Sequence, residues 1–374
     1  MSESWSFETR QIHAGAQSDP TTGARATPIY QTTSYDLGSA ERAANLFSLA
    51  EPGNIYTRIM NPTTDVVEQR LASLEGGVAA VAFASGQSAE SLAILNIAEA
   101  GSHVVASASL YGGTYSLFKY TLPKLGIEAT FVEDPDDPDA WRAAVQPNTR
   151  AFFAESIGNP KIDVLDISAV AELAHAAGAR VVVDNVFATP VLQRPLDLGA
   201  DVVVYSTTKH IDGQGRTLGG AILGPATFVA DELRPLIRHT GPSMSPFNAW
   251  VVLKSLETAR LRIEHQTRSA EALARWLEQQ STVTWVRYPM LSSHPQHELA
   301  TRQMKGFTGM ISIETGSIER AKRFVEGVRL FALAESLGGV ESLIGHPASM
   351  THAAVPVDRR QAMDISDGLV RLSC

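Results

Sequence analysis

Four short segments place reactive or ligand-holding side chains directly after hydrophobic runs. Ser206-Thr207-Thr208-Lys209 follows DVVVY (201–205). A lysine whose pKa is lowered by burial or nearby cations can form a Schiff base with an aldehyde. The hydroxyls beside it suit a phosphate. Asp184 ends RVVVD (180–184). A carboxylate at the end of a buried strand is poorly solvated and wants a cationic partner. Tyr111, in Tyr111-Gly112-Gly113, comes after HVVAS (103–107) and offers an aromatic face to a flat ligand. Ala84-Ser85-Gly86-Gln87 follows VAAVAF (78–83) and opens a helical stretch. Backbone N–H groups at a helix start bind phosphate, and glycine lets the ligand come close. Taken singly, each has a plainer account: a turn glycine, a rim tyrosine, an aspartate capping the next turn, a surface lysine. Together they describe one ligand that is flat and phosphorylated, with an aldehyde and a basic ring nitrogen. Pyridoxal 5′-phosphate fits. Its phosphate would sit at 86–87 and 206–208, its ring face on Tyr111, its ring nitrogen on Asp184 and its aldehyde on Lys209. A protonated ring of this kind is an electron sink for carbanions.

The elements that must position these groups follow from periodicity. Strands are expected at 78–83, 103–107, 128–132, 150–155, 180–184, 201–205 and 219–223. Helix-like stretches at 87–100, 113–125, 166–177 and 190–198 lie between most of them. Valine runs bounded by glycine or aspartate read as strands buried on both faces. Their alternation with helices predicts an α/β fold with a doubly wound, mostly parallel sheet. Such sheets place ligands at the carboxyl ends of their strands. Residues 1–60 read as an arm with one helix-like patch near 39–50, 61–240 as the large cofactor-binding domain, and 241–374 as a smaller α+β domain. The last begins with one long helix over 247–279. Short strands near 282–287 and 309–314 and a helix near 318–327 follow.

Composition narrows the classes. The chain has 374 residues, 44% hydrophobic and 19% charged, as expected for a folded chain of two or three domains. Its net charge of −9 argues against a nucleic-acid footprint. The single cysteine, Cys374, excludes an intrachain disulfide and a cysteine metal cluster and fits a reducing compartment. No apolar run approaches the roughly 18 residues that span a bilayer, and MSESWSFETR has no signal-peptide character. A cytoplasmic protein is expected, with no membrane and no metal. His294 and His297 flank a proline, with no evident third ligand. Gly213-Gln214-Gly215-Arg216 leads into a strand rather than a helix, so it reads as a turn, not a dinucleotide loop.

Longer segments carry a resemblance. TPIYQTTSY (27–35), YTRIMNPTTDVVEQRLASLEGG (56–77), SLYGGTY (109–115), VVDNVFATPVLQRPLDLGADVVVYSTTKHIDGQG (182–215) and AESLGGVESLIGHPASMTHA (334–353) are similar to the pyridoxal-phosphate enzymes of cysteine and methionine metabolism. These are the cystathionine γ-synthase-like group. The resemblance runs from about Phe7 to Ser373. It implies fold type I, aspartate-aminotransferase-like, with a seven-stranded sheet. It also implies roles. Lys209 matches the Schiff-base lysine, Asp184 the ring-nitrogen partner, and Tyr111 the stacking tyrosine that also assists proton transfers. Ser85, Gly86, Gln87, Ser206 and Thr208 match the phosphate site. Tyr56 and Arg58 match a pair that reaches a neighbouring subunit's phosphate, which implies a homotetramer built from dimers of active sites. Asn159 matches a residue near the ring oxygen, and Ser336 and Arg371 match the binders of the substrate carboxylate. A guanidinium suits a carboxylate because it offers two parallel donors.

The resemblance implies γ-replacement on an activated homoserine ester. HAGAQSDPTTGARATPIYQTTSY (13–35) and NIYTRIMNPTTDVVEQRLASLEGG (54–77) are similar to O-acetylhomoserine sulfhydrylases, with sulfide as partner substrate. GQGRTLGG (213–220) and HTGPSMSPFNAW (239–250) are more similar to O-succinylhomoserine sulfhydrylases. A cystathionine γ-synthase, a methionine or cystathionine γ-lyase, and a non-catalytic cofactor-binding protein are the alternatives. Four positions depart from the family pattern. Gln87 stands where Met is frequent, with little expected effect because a backbone N–H does the binding. Val186 stands where Thr is usual, and Gly113 where methionine γ-lyases carry Cys. The chain also stops three residues after Arg371, where relatives continue; two readings stand, a loosened carboxylate site or a shortened sequence.

Overall fold

The computed structural model describes residues 4–76 and 79–374. Seven strands form the first sheet: β1 (Ala79–Phe83), β2 (His103–Ser107), β3 (Glu128–Val132), β4 (Thr149–Glu155), β5 (Arg180–Asp184), β6 (Val202–Ser206) and β7 (Gly220–Gly224). Their order is β1-β7-β6-β5-β4-β2-β3. The run β6-β5-β4-β2-β3 is parallel, and β7 is antiparallel to both neighbours. All seven expected strands are present within a residue or so, although Val78 lies outside the described residues.

Side-chain alternation explains the valine runs. Val182, Val202 and Val204 pack with the helix Gly86–Ile97 on one face. Val181 and Val183 pack with the helix Ile167–Ala176 on the other. Val203 and Tyr205 join a third cluster with Leu71 and Leu253. A sheet covered on both faces must be apolar at every position, as these runs are.

A second sheet holds β8 (Trp285–Arg287), β9 (Met310–Glu314), β10 (Ala332–Leu333), β11 (Leu343–Gly345) and β12 (Leu369–Ser373), in the order β10-β11-β12-β9-β8. Its core gathers Ile311 and Val370 with Ile263, Ala270 and Ala274 of a helix across its face.

Two expectations need correction. The stretch 247–279 is not one helix but two, Pro246–Leu256 and Ala259–Leu277. No glycine or proline breaks it. One local and one tertiary hydrogen bond hold the break instead: Arg262 Nη2 donates to the Ser255 carbonyl at 3.0 Å and Gln11 Nε2 to the Glu257 carbonyl at 3.3 Å. The region before residue 60 also holds a second helix, Phe7–His13, besides Ala40–Phe47. Its sequence is largely polar, so periodicity hides it. Ser6 caps it, and Arg10 Nη1 donates to the Ser73 carbonyl at 2.9 Å. Among the described residues, no helix is long and apolar enough to cross a membrane.

Candidate active site

The carboxyl ends of β1, β2, β4, β5 and β6 meet at one rim, around a cavity of about 210 Å³. Ser85, Gly86, Gln87, Tyr111, Asn159, Asp184, Ser206, Thr208, Lys209 and Arg371 all line it. A larger cavity of about 560 Å³ lies elsewhere, beside Arg58, Glu68 and Arg234. It holds neither Lys209 nor Asp184, so the smaller one carries the chemistry.

Ser85 caps the helix Gly86–Ile97 through a reciprocal pair with Ser88. The first N–H groups of that helix have no intrahelical acceptor and point at the rim. Glycine is required at 86, because a Cβ there would lie 2.7 Å from Ser206 Cβ. Thr208 Oγ1 accepts from the Gly219 N–H at 3.1 Å, which ties the lysine segment to the start of β7.

Asp184 is 9% exposed. Its Oδ1 accepts the Val186 N–H at 2.8 Å. Burial first, then the Glu90 carboxyl, push its pKa well above the usual carboxylate range. Lys209 Nζ donates to Ser336 Oγ at 3.2 Å. Burial lowers the pKa of that amine; Glu335 opposes the shift and Arg371 adds to it. Arg371 is buried on β12, with Nη1 on Asn159 Oδ1 at 2.9 Å and Nη2 on the Ser336 carbonyl at 3.2 Å. Arg371 is thus packed and bonded. Ser336 itself has φ +142°, a backbone region that side chains rarely adopt.

The structure does not bring Tyr56 and Arg58 to this cavity. Tyr56 is 41% exposed, and the Arg58 guanidinium lies 5.7 Å from its ring. Arg58 also bonds the Arg238 carbonyl. His294 Nε2 bonds the Ile162 carbonyl and His297 Nδ1 the Pro289 carbonyl, each at 2.9 Å.

Two cavity residues were missed in the sequence. Glu155 closes β4 and accepts the Tyr111 N–H at 2.5 Å and the Asn159 N–H at 3.1 Å. It ends a central strand just as Asp184 does, so the same signal was there to read. Glu90 sits on a helix face otherwise made of Ala89, Ala93 and Ile94. A lone carboxylate on a buried apolar face was its signal.

The residues present fit pyridoxal phosphate. The glycine cradle at 86 is open where a Cβ would close it, Asp184 is a buried carboxylate with no cationic side chain among the influences on it, and the Lys209 amine is biased to its neutral form. A family model for Cys/Met metabolism PLP-dependent enzymes matches residues 8–374. The chain belongs to that family.

Relatives in the family give the finer picture. The chain is 43% identical to an O-acetyl-L-homoserine sulfhydrylase of Leptospira meyeri, over all of this chain and 94% of that one. It is 43% identical to an O-succinylhomoserine sulfhydrylase of Pseudomonas aeruginosa, over 99% and 92%. L-methionine gamma-lyases match as well, at 42%. The crystal structure of a putative O-acetylhomoserine (thiol)-lyase from Campylobacter jejuni superposes with a TM-score of 0.96 at 35% identity. It covers 99% of this chain and 96% of that one, and its pyridoxyl group is carried on a lysine.

Proposed function

We propose that this enzyme replaces the acyloxy group of O-acetylhomoserine with sulfide, giving homocysteine and acetate. At the γ-carbon a C–O bond breaks and a C–S bond forms, and acetate leaves with one proton of hydrogen sulfide. The convergence of Lys209, Asp184, Tyr111 and Arg371 in one cavity carries the reading, and the sulfhydrylase relatives support it.

In this reading Gly86 and Gln87 hold the cofactor phosphate through their N–H groups, beside the Ser85, Ser206 and Thr208 hydroxyls. Tyr111 would stack on the ring, Asn159 would lie at its edge, and Asp184 would hold a proton on its nitrogen. Lys209 retains the cofactor through its aldehyde. The bound cofactor supplies an electron sink for negative charge developing on the substrate carbons. The Lys209 amine would take the proton from the substrate α-carbon. Burial lowers its pKa, which favours the neutral amine that a base needs. Arg371 and Ser336 orient the substrate carboxylate, and the Tyr111 phenol assists proton movement.

The succinyl ester is the second reading. The alignment to the Leptospira relative spans 415 residues, more than this chain has, whereas that to the Pseudomonas relative spans 372. This chain is therefore closer in length to the O-succinylhomoserine sulfhydrylase relative. Against a γ-lyase stands Gly113, where a Cβ would lie 2.5 Å from Tyr111 Cε1. A cysteine there would displace the tyrosine ring.

Further parts of the reading are an arm at 1–60, a cofactor-binding domain at 61–240 and a C-terminal domain at 241–374. A homotetramer is proposed because Tyr56 and Arg58 lie outside their own chain's cavity, and Tyr56 is exposed. A cytoplasmic site is proposed from the lone, free Cys374.

A substrate panel tests the function. O-acetyl- and O-succinylhomoserine are each offered with sulfide, with cysteine and with no nucleophile. Homocysteine from the acetyl ester and sulfide is expected. Faster turnover of the succinyl ester replaces the first reading with the second, and cystathionine from cysteine makes the enzyme a synthase. Release of 2-oxobutyrate alone makes it a lyase.

A further inference from the structure

The loop after β4 carries Asn159 into the cavity, and the domain of the second sheet grips that loop by its backbone. Alternate carbonyls of one short stretch each receive a side-chain donor. Ser312 Oγ of β9 donates to the Pro160 carbonyl, His294 Nε2 to the Ile162 carbonyl at 2.9 Å, and Gln296 Nε2 to the Val164 carbonyl at 3.0 Å. Gln296 Oε1 also accepts the Val164 N–H at 2.7 Å. One amide side chain thus pairs with both backbone groups of a single residue, as a neighbouring strand would. The carbonyl between them, that of Asp163, turns back to the Gly158 N–H at 2.8 Å.

The His294 tautomer follows from its partners. The Gln296 N–H donates to Nδ1 at 3.1 Å, so the ring proton is on Nε2, facing the Ile162 carbonyl. Burial lowers the pKa of the ring to about 4, which keeps it in this neutral form. Ile162 itself sits at φ +63°, a region that β-branched residues rarely adopt and keep only where the surroundings hold them.

The same sheet carries Arg371. Ser312 of β9 and Arg371 of β12 are cross-strand partners, and they hold consecutive residues of the loop. Arg371 Nη1 bonds Asn159 Oδ1, and Ser312 bonds Pro160. His294, Gln296 and Ser312 do not reach the cavity themselves. We propose that they are positioning residues for recognition of the substrate carboxylate: they fix the loop so that Asn159 aims the Arg371 guanidinium. The run His294-Pro295-Gln296, which offered no third ligand for a metal, takes this task instead.

The inference rests on the reading of Arg371 as the carboxylate binder, so the experiment tests the two separately. L-norleucine, an amino acid with no leaving group on its side chain, and its primary carboxamide are titrated into the cofactor-loaded enzyme. Dissociation constants are read from the change in cofactor absorbance, and their ratio measures the preference for a carboxylate. Whatever else differs between the two ligands is common to every variant. Wild type should favour the carboxylate form by about tenfold to a hundredfold, the worth of one or two charged hydrogen bonds. Arg371→Ala should abolish the preference. His294→Leu should cut it about fivefold, and Gln296→Met should cut it in the same sense. His294→Gln keeps an N–H donor for the Ile162 carbonyl and should stay within about twofold of wild type.

If Arg371→Ala keeps the preference, the Arg371 reading fails and the inference with it. If Arg371→Ala loses it while His294→Leu keeps the wild-type ratio, the inference alone is overturned. A role confined to stability would give that result, with a lowered Tm and both ligands weakened alike. Equal ratios for His294→Leu and His294→Gln also overturn it, because the donor would then not matter. Should His294→Leu not fold, Ser312→Ala removes a single hydroxyl from the Pro160 carbonyl and must lower the ratio too.

Discussion

Arg371 on β12 donates to Asn159 Oδ1 on the loop after β4, so one 2.9 Å hydrogen bond joins the two sheets inside the cavity. Its other terminal nitrogen holds the carbonyl of Ser336, the residue that bonds Lys209. The group proposed to read the substrate carboxylate therefore also braces both walls.

Arg371→Ala should raise KM for the amino-acid substrate by about tenfold to a hundredfold, the worth of one or two charged hydrogen bonds. Cofactor absorbance should persist, because Lys209, Asp184 and the phosphate-side residues make no hydrogen bond to Arg371. Steady-state kinetics beside an absorption spectrum check this. An unchanged KM removes Arg371 from substrate binding.

A shared site predicts complementation. Lys209→Ala should abolish turnover, and Arg58→Ala should weaken cofactor binding while its own Lys209 is intact. Mixed and reassembled, the two variants should regain part of the wild-type activity, because one kind of cavity in the mixture has both residues. Mixtures that stay inactive under conditions where wild-type subunits exchange would show that Arg58 serves no neighbour.

Cofactor capture needs the neutral Lys209 amine. Burial lowers its pKa from 10.5, and Glu335 pulls the other way. Removing that pull with Glu335→Gln lowers the pKa further, so more amine is neutral at a given pH. The rate of cofactor uptake by the apoprotein should then rise at lower pH than in wild type. Stopped-flow absorbance across a pH series measures it, and a curve displaced to higher pH would reverse the assigned role of Glu335.

Glu75 gives a stability prediction away from the cavity. It is buried, with Oε2 accepting from the Tyr205 hydroxyl at 2.7 Å and Oε1 without a hydrogen-bond partner. Burial raises its pKa from 4.5 to about 8. The native state binds this proton more tightly than the unfolded chain does. The stabilisation is full below about 4.5 and is lost as pH rises through about 8. Glu75→Gln stays neutral throughout. Its Tm should gain on wild type between about pH 5 and about pH 9, by the equivalent of a few kcal/mol at most. Parallel melting curves across that range would contradict the raised pKa.

Much of the large sheet was legible because strands buried on both faces leave long valine runs. The ligand groups were legible because each stands just past such a run, where a doubly wound sheet gathers its sites. The break at 257–258 was not, since Gln11 from distant sequence holds the Glu257 carbonyl and Arg262, just past the break, folds back on Ser255. Nor were β10 and β11, which are two and three residues long and too short to show a period. Glu90 was marked only as a lone carboxylate among the buried Ala89, Ala93 and Ile94, while its partner Thr114 stands 24 positions away.

The reversed direction of β7 has an engineering consequence. β6 runs toward the rim and β7 runs away from it, so the 207–219 loop begins and ends at the same edge. Gly220 seals that edge, because a Cβ there would lie 2.2 Å from the Ser85 carbonyl oxygen. A loop with both feet pinned changes length at little entropic cost. Residues added between 213 and 216 would extend it away from the rim while Ser206 and Gly220 stay in register. Here the scaffold accepts new sequence beside its chemistry, whereas Gly220 itself tolerates no side chain.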